Sequence, residues 1–230
     1  LVWDAKEKKL QGFNGSGRSP RSLTLDKLRQ EVAALGKEEI PAHGTLPISV
    51  PGCVDGWTQL HGRFGVLPLD EVLAPAIRHA REGFPVTELI SHYWKISARV
   101  LGEQPGFRET FTREGKTPAV GEIWKNPDLA TTLEQIATNG RGGFYEGPVA
   151  ERIAAFVQEH GGYVTVEDLG SHRGEWIEPV STSYRGIEVW QLPPNGQGIA
   201  ALQILNILEN FEIGKLRPNS AEHLHLFVEA

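Results

Sequence analysis

The chain has 230 residues, 40% hydrophobic and 23% charged, the balance of a folded globular protein rather than a disordered one. Its formal net charge is −6 and its lysines and arginines are scattered, which argues against a nucleic-acid surface and for small molecules or proteins as partners. Cys53 is the sole cysteine, so an intrachain disulfide and any multi-cysteine metal site are excluded.

Residues 1–5 and 10–13, separated by Lys6-Glu7-Lys8-Lys9, read as two short strands joined by a charged turn. Gly12-Phe13-Asn14-Gly15-Ser16-Gly17-Arg18-Ser19-Pro20 follows. Its glycines lack a Cβ and allow close approach, while a guanidinium grips a carboxylate through two parallel hydrogen bonds. Arg18 is therefore a candidate substrate contact; the alternative is a solvated turn whose arginine pairs with a surface carboxylate.

Leu25, Leu28, Val32 and Leu35 recur at helical spacing, with Ser22 or Thr24 as N-cap and Gly36 as the stop. Residues 40–52 are rich in proline and glycine and are expected to be extended. Asp55 is expected to cap a helix carrying Trp57, Leu60 and Phe64, and Cys53 to serve as buried packing. The spacing of Val72, Leu73, Ala76, Ile77 and Ala80 predicts a helix within 68–83, closed by Gly83, with Pro75 either opening its regular part or kinking it.

Thr87 opens a helix reaching Leu101-Gly102, and 103–122 is loop-like, holding Pro105, Gly106, Gly115, Pro118 and Gly121. Asn126 as N-cap and Pro127 at the first position predict a helix with Leu129, Leu133, Ile136 and Ala137 on one face. Residues 142–147 read as a turn into a helix over 148–160, and Thr165-Val166-Glu167-Asp168 as a capping box with aspartate replacing glutamate. A hairpin over 179–192 turns at Arg185-Gly186. Pro193-Pro194-Asn195-Gly196-Gln197-Gly198 then opens the most apolar helix, 199–211, whose hydrophobic residues wrap most of its circumference and predict burial. That turn either offers backbone N–H groups to an anion or is purely structural. Ser220 caps a last helix with Leu224, Phe227 and Val228.

The eight histidines lack the mutual spacing of metal ligands. Gly-x-Ser-x-Gly, a Walker-type phosphate loop and a dinucleotide fingerprint are absent. No apolar run reaches the length of a membrane span. The residues thus offer a substrate clamp without a catalytic engine, and both ends read as cut, so a segment of a longer polypeptide is expected.

Several stretches, in this order, resemble the large subunit of gamma-glutamyltransferases (gamma-glutamyltranspeptidases). They are Asn14-Gly15-Ser16-Gly17-Arg18-Ser19-Pro20, Ser49-Val50-Pro51-Gly52-Cys53-Val54-Asp55-Gly56-Trp57, Leu73-Ala74-Pro75-Ala76-Ile77 and Arg81-Glu82-Gly83-Phe84-Pro85-Val86. Gly143-Phe144-Tyr145-Glu146-Gly147, Gly161-Gly162-Tyr163-Val164-Thr165-Val166-Glu167-Asp168-Leu169 and Pro193-Pro194-Asn195-Gly196-Gln197-Gly198 complete the series.

The resemblance implies an α+β fold, part of an N-terminal-nucleophile hydrolase of the αββα sandwich type. Residues 1–230 would be a helix-rich, partial large-subunit region, truncated at both ends. It also implies a proenzyme that cleaves itself, with the new N-terminal threonine of the small subunit as nucleophile and its own α-amino group as base. That threonine would lie downstream of Ala230, which accounts for the missing engine and leaves no catalytic residue in this chain. The implied partners are a gamma-glutamyl donor such as glutathione, an acceptor amino acid, peptide or water, and the small subunit of the same precursor. No cofactor or metal is implied, and the family resemblance points to a periplasmic or secreted location. The family's arginine for the donor α-carboxylate falls on Arg18. Asn195 and Gln197 depart from the small residues usual in the family's proline-rich turn, so that turn is assigned a supporting role only. Cephalosporin- or glutaryl-type acylases share the large-subunit pattern, and a non-catalytic binding protein retaining the fold is a further reading.

Overall fold

A computed structural model describes residues 1–230. In chain order it has β1 (Val2–Asp4), β2 (Lys9–Asn14), α1 (Leu25–Ala34), α2 (Cys53–Phe64), α3 (Leu69–Glu82), β3 (Phe84–Pro85) and α4 (Glu88–Leu101). Then come α5 (Phe107–Phe111), β4 (Ile123–Trp124), α6 (Pro127–Asn139), α7 (Gly142–Tyr145), α8 (Gly147–Glu159) and α9 (Val166–Ser171). β5 (Glu175–Ile177), β6 (Val180–Tyr184), β7 (Ile187–Gln191), α10 (Gly198–Leu208), a 3-10 turn (Ile213–Lys215) and α11 (Ala221–Glu229) complete the chain. The architecture is the expected helix-rich α+β, its strands forming three small sheets. No helix is long and apolar enough to cross a membrane.

The chain divides into two compact units, one of Leu1–Ser16 with Arg173–Ala230, the other of Gly17–His172. In the first, β1 and β2 form the expected antiparallel hairpin, with Trp3 opposite Leu10. β5 adds to β2, setting Phe13 opposite Trp176 with their rings edge to face at 5.1 Å. Three residues carry too little alternation to read as a strand from sequence; the pairing with β2 makes them one. β6 and β7 pair as expected, turning through Arg185 at φ 51 and Gly186 at φ 80, the two left-handed residues that match the twist of a tight hairpin. α10 packs on this hairpin. Burial around its whole circumference is not found: Leu202 and Leu208 are buried, while Ile199 and Ile207 are exposed. The two-stranded ribbon covers one face of α10, and the small contact with α11 does not close the rest.

The second unit holds the main core, in which Val50, Val54, Leu133, Ile136, Tyr145, Ala150, Ala154, Val164 and Leu169 pack together. α6 starts at the Asn126 cap, whose side chain accepts from the Leu129 N–H, and lies along α3. Thr24 rather than Ser22 caps α1, accepting from the Lys27 N–H. α3 begins at Leu69, so Pro75 lies inside it and does not open its regular part. The Thr165–Asp168 box before α9 forms with both of its reciprocal hydrogen bonds.

Four expectations are corrected in this unit. The loop-like stretch 103–122 contains α5, because Phe107 is buried and its ring and that of Phe111 pack 5.2 Å apart, with Trp94 donating to the Phe111 carbonyl. The turn at 142–147 contains α7, held close against α6. Finally, α2 is capped by Gly52, so Asp55 is the third residue of the helix and not its cap, and Cys53 is exposed rather than buried.

Candidate substrate-binding site

Arg18 is exposed in the irregular segment that follows β2. Its backbone is tied down: the N–H of buried Val50 donates to the Arg18 carbonyl at 3.0 Å. Gly17 passes so close that a Cβ there would lie 1.6 Å from the Val50 carbonyl oxygen. The glycine beside Arg18 is therefore required by the approach of two backbones. On the other side, Pro20 is buried, the Arg21 N–H donates to Asp168 at 3.2 Å, and the Arg21 guanidinium meets Glu167 at 2.8 Å. Both flanks of Arg18 are thus anchored while its side chain reaches the surface.

Behind Val50 lies a buried polar network. The Tyr145 hydroxyl donates to the Pro51 carbonyl at 2.6 Å and accepts from the Asp55 N–H at 3.1 Å. Asp55, with a fully buried side chain, accepts from Arg141 Nε at 3.0 Å. Arg141 in turn donates to the carbonyls of Gly170 at 3.1 Å and His172 at 2.6 Å, and its guanidinium stands 4.6 Å from the centre of the Tyr145 ring. The two charges are paired with each other, and Arg141 also faces Glu146 at 3.5 Å, the kind of pairing under which a charge is tolerated in a core. Burial raises the Tyr145 phenol above its ordinary value, the hydrogen bond from the Asp55 N–H working against it. At neutral pH the hydroxyl is protonated and able to donate to Pro51.

The close contact of α7 with α6 sets this up. A Cβ on Gly143 would lie 2.1 Å from the Gln135 carbonyl oxygen, so glycine at that point lets the short helix sit low enough to bury Tyr145. The reading from sequence missed the network. A signal was present in Gly140-Arg141-Gly142-Gly143, a single cation among glycines like that at Arg18.

In the other unit, the Asn14 amide donates to Asn195 Oδ1 at 3.0 Å, and the Ser16 N–H donates to Asn14 Oδ1 at 3.0 Å. Asn14, Ser16, Gln191, Pro193 and Asn195 line an open cavity of about 500 Å3. The first half of the arginine loop and the Pro193–Gly198 turn are therefore neighbours within this unit. α10 begins from Gln197 without a side-chain cap.

The family model described as Gamma-glutamyltranspeptidase matches residues 1–230. A curated relative, the glutathione hydrolase-like YwrD proenzyme of Bacillus subtilis, is 41% identical over all of this chain and 43% of its own length. Among solved structures, cephalosporin acylase from Bacillus halodurans superposes with a TM-score of 0.84 at 44% identity, covering 95% of this chain and 41% of that one. Helicobacter pylori gamma-glutamyltranspeptidase gives 0.89 at 27% identity, covering 99% of this chain and 65% of that one. The chain spans less than half the length of the first two of these relatives.

Proposed function

This chain belongs to the gamma-glutamyltranspeptidase family, and on that premise we propose that it is a large-subunit region of an enzyme that hydrolyses or transfers gamma-glutamyl groups. The donor is a glutathione-type amide. A threonine outside these residues attacks the gamma-carbonyl, the donor amine leaves with a proton, and the resulting ester passes its acyl group to water or to an acceptor amine. The role of this chain is to bind the donor. Arg18 pairs with the α-carboxylate, a bidentate contact suited to a planar guanidinium.

The observation that best supports this role is the setting of Arg18: an exposed guanidinium on a backbone anchored to buried Val50. A charged contact of this kind is worth about 2–5 kcal/mol. In the full-length protein, Arg18→Ala is expected to raise the KM for gamma-glutamyl-p-nitroanilide at least about 30-fold and leave self-cleavage intact. An unchanged KM would remove Arg18 from the donor site.

The 44% identity to a cephalosporin acylase favours a second reading, an acylase acting on glutaryl-type amides. A glutaryl group carries a carboxylate at the same distance from the scissile carbonyl and lacks only the α-amino group, so Arg18 would serve either substrate. Comparing gamma-glutamyl- and glutaryl-p-nitroanilide as substrates of the full-length protein separates the two readings.

A further inference from the structure

We propose that Tyr145, held by the Asp55–Arg141 pair, is a positioning residue that fixes Arg18 for the donor. The inference rests on the reading of Arg18 as the carboxylate contact. Its basis is a continuous path of short polar links. From the Arg18 carbonyl the path runs to the Val50 N–H at 3.0 Å, along the peptide to the Pro51 carbonyl, and on to the Tyr145 hydroxyl at 2.6 Å. The same hydroxyl takes the Asp55 N–H, and the Asp55 carboxylate takes Arg141 Nε, so the phenol is held from two sides. Arg141 locks the far end onto the backbone at Gly170 and His172.

A plain core role would need none of these polar groups. Tyr145 is fully buried within an apolar cluster, where phenylalanine would pack equally well. The hydroxyl instead serves the one backbone segment that carries the Arg18 tie. A bidentate contact depends on the angle and position of the guanidinium plane, and a displacement near 1 Å of a binding group is enough to weaken it. Holding the Val50–Pro51 backbone therefore acts on where Arg18 sits, through main-chain geometry rather than through direct contact with substrate.

The test is a double-mutant cycle in the full-length protein, with gamma-glutamyl-p-nitroanilide as donor and thermal unfolding measured alongside. Tyr145→Phe is expected to raise KM about tenfold, with kcat within about twofold, and to have no further effect in the Arg18→Ala background. If Tyr145→Phe leaves KM unchanged while Arg18→Ala raises it, the positioning role is wrong and the donor contact stands. A KM increase of the same factor in both backgrounds also overturns it, since Tyr145 would then act independently of Arg18. If Arg18→Ala itself leaves KM unchanged, the donor-contact reading fails and this inference with it. Should Tyr145→Phe not fold, Val50→Pro removes the N–H that holds the Arg18 carbonyl and is expected to give the same KM increase and the same non-additivity; an unchanged KM there overturns the proposal.

Discussion

Arg18 and Arg141 begin from nearly the same local sequence, a lone cation beside glycine, and end in opposite environments. Arg18 is exposed; Arg141 keeps only 17% of its side chain in solvent and pairs with a carboxylate that keeps none. In both places the glycines serve the same purpose, letting one backbone pass close to another: Gly17 against Val50, Gly143 against Gln135. What differs is the partner supplied from far along the chain. Asp55 lies 86 residues before Arg141 and draws that cation inward. The comparison teaches that a glycine-flanked arginine marks a tight backbone crossing, and that its direction, towards solvent or towards core, is set by tertiary neighbours.

The comparison is broken most directly by measuring stability. Asp55→Ala leaves the Arg141 guanidinium with no buried carboxylate, only the exposed Glu146 at 3.5 Å, and is expected to cost about 3–5 kcal/mol, read from the urea midpoint. Arg18→Ala, at an exposed position, is expected to change stability by about 0–1 kcal/mol whatever surface partner it holds. Equal losses would mean that the two arginines play the same role.

Binding sharpens the contrast from the other side. Arg18→Lys keeps the charge but loses the fork geometry, so a KM increase of about tenfold, equivalent to about 1.4 kcal/mol, is expected with kcat retained. A lysine that binds the donor as well as arginine does would argue for a simple point charge.

In the other unit, Asn14 and Asn195 make an exposed, neutral amide pair. Asn195→Ala is expected to lower stability by no more than about 1 kcal/mol. A loss as large as that of Asp55→Ala would show that exposed polar ties weigh as much as buried ones here.

The smallest expected effect is at alkaline pH. Because burial raises the Tyr145 phenol, the folded chain holds this proton where an unfolded tyrosine, ionising near pH 10, releases it. The associated stability is intact below about pH 10 and is lost as the pH climbs through the higher folded value. Thermal unfolding between about pH 9 and 11 is therefore expected to fall more steeply for the wild type than for Tyr145→Phe.

Local signals in the sequence were sufficient for most elements. Thr87, Asn126, Thr165 and Ser220 cap the helices they were expected to cap, because a cap needs only a side-chain oxygen within reach of its own first turn. Arg185-Gly186 fixed the β6–β7 hairpin for the same reason: two left-handed residues determine a tight turn locally. The order of short motifs across the chain was enough to place it in its family. Tertiary structure decided the rest. α5 and α7 exist because aromatic rings and close backbone contact hold segments too short to be helical alone. α10 stays partly open because the two-stranded hairpin and α11 cover only part of its surface. Asp55, Arg141 and Tyr145 form one network across residues 55–145 because the cost of burying a charge is met only by partners that folding brings together. No stretch of sequence shorter than residues 55–141 contains the Asp55–Arg141 pairing.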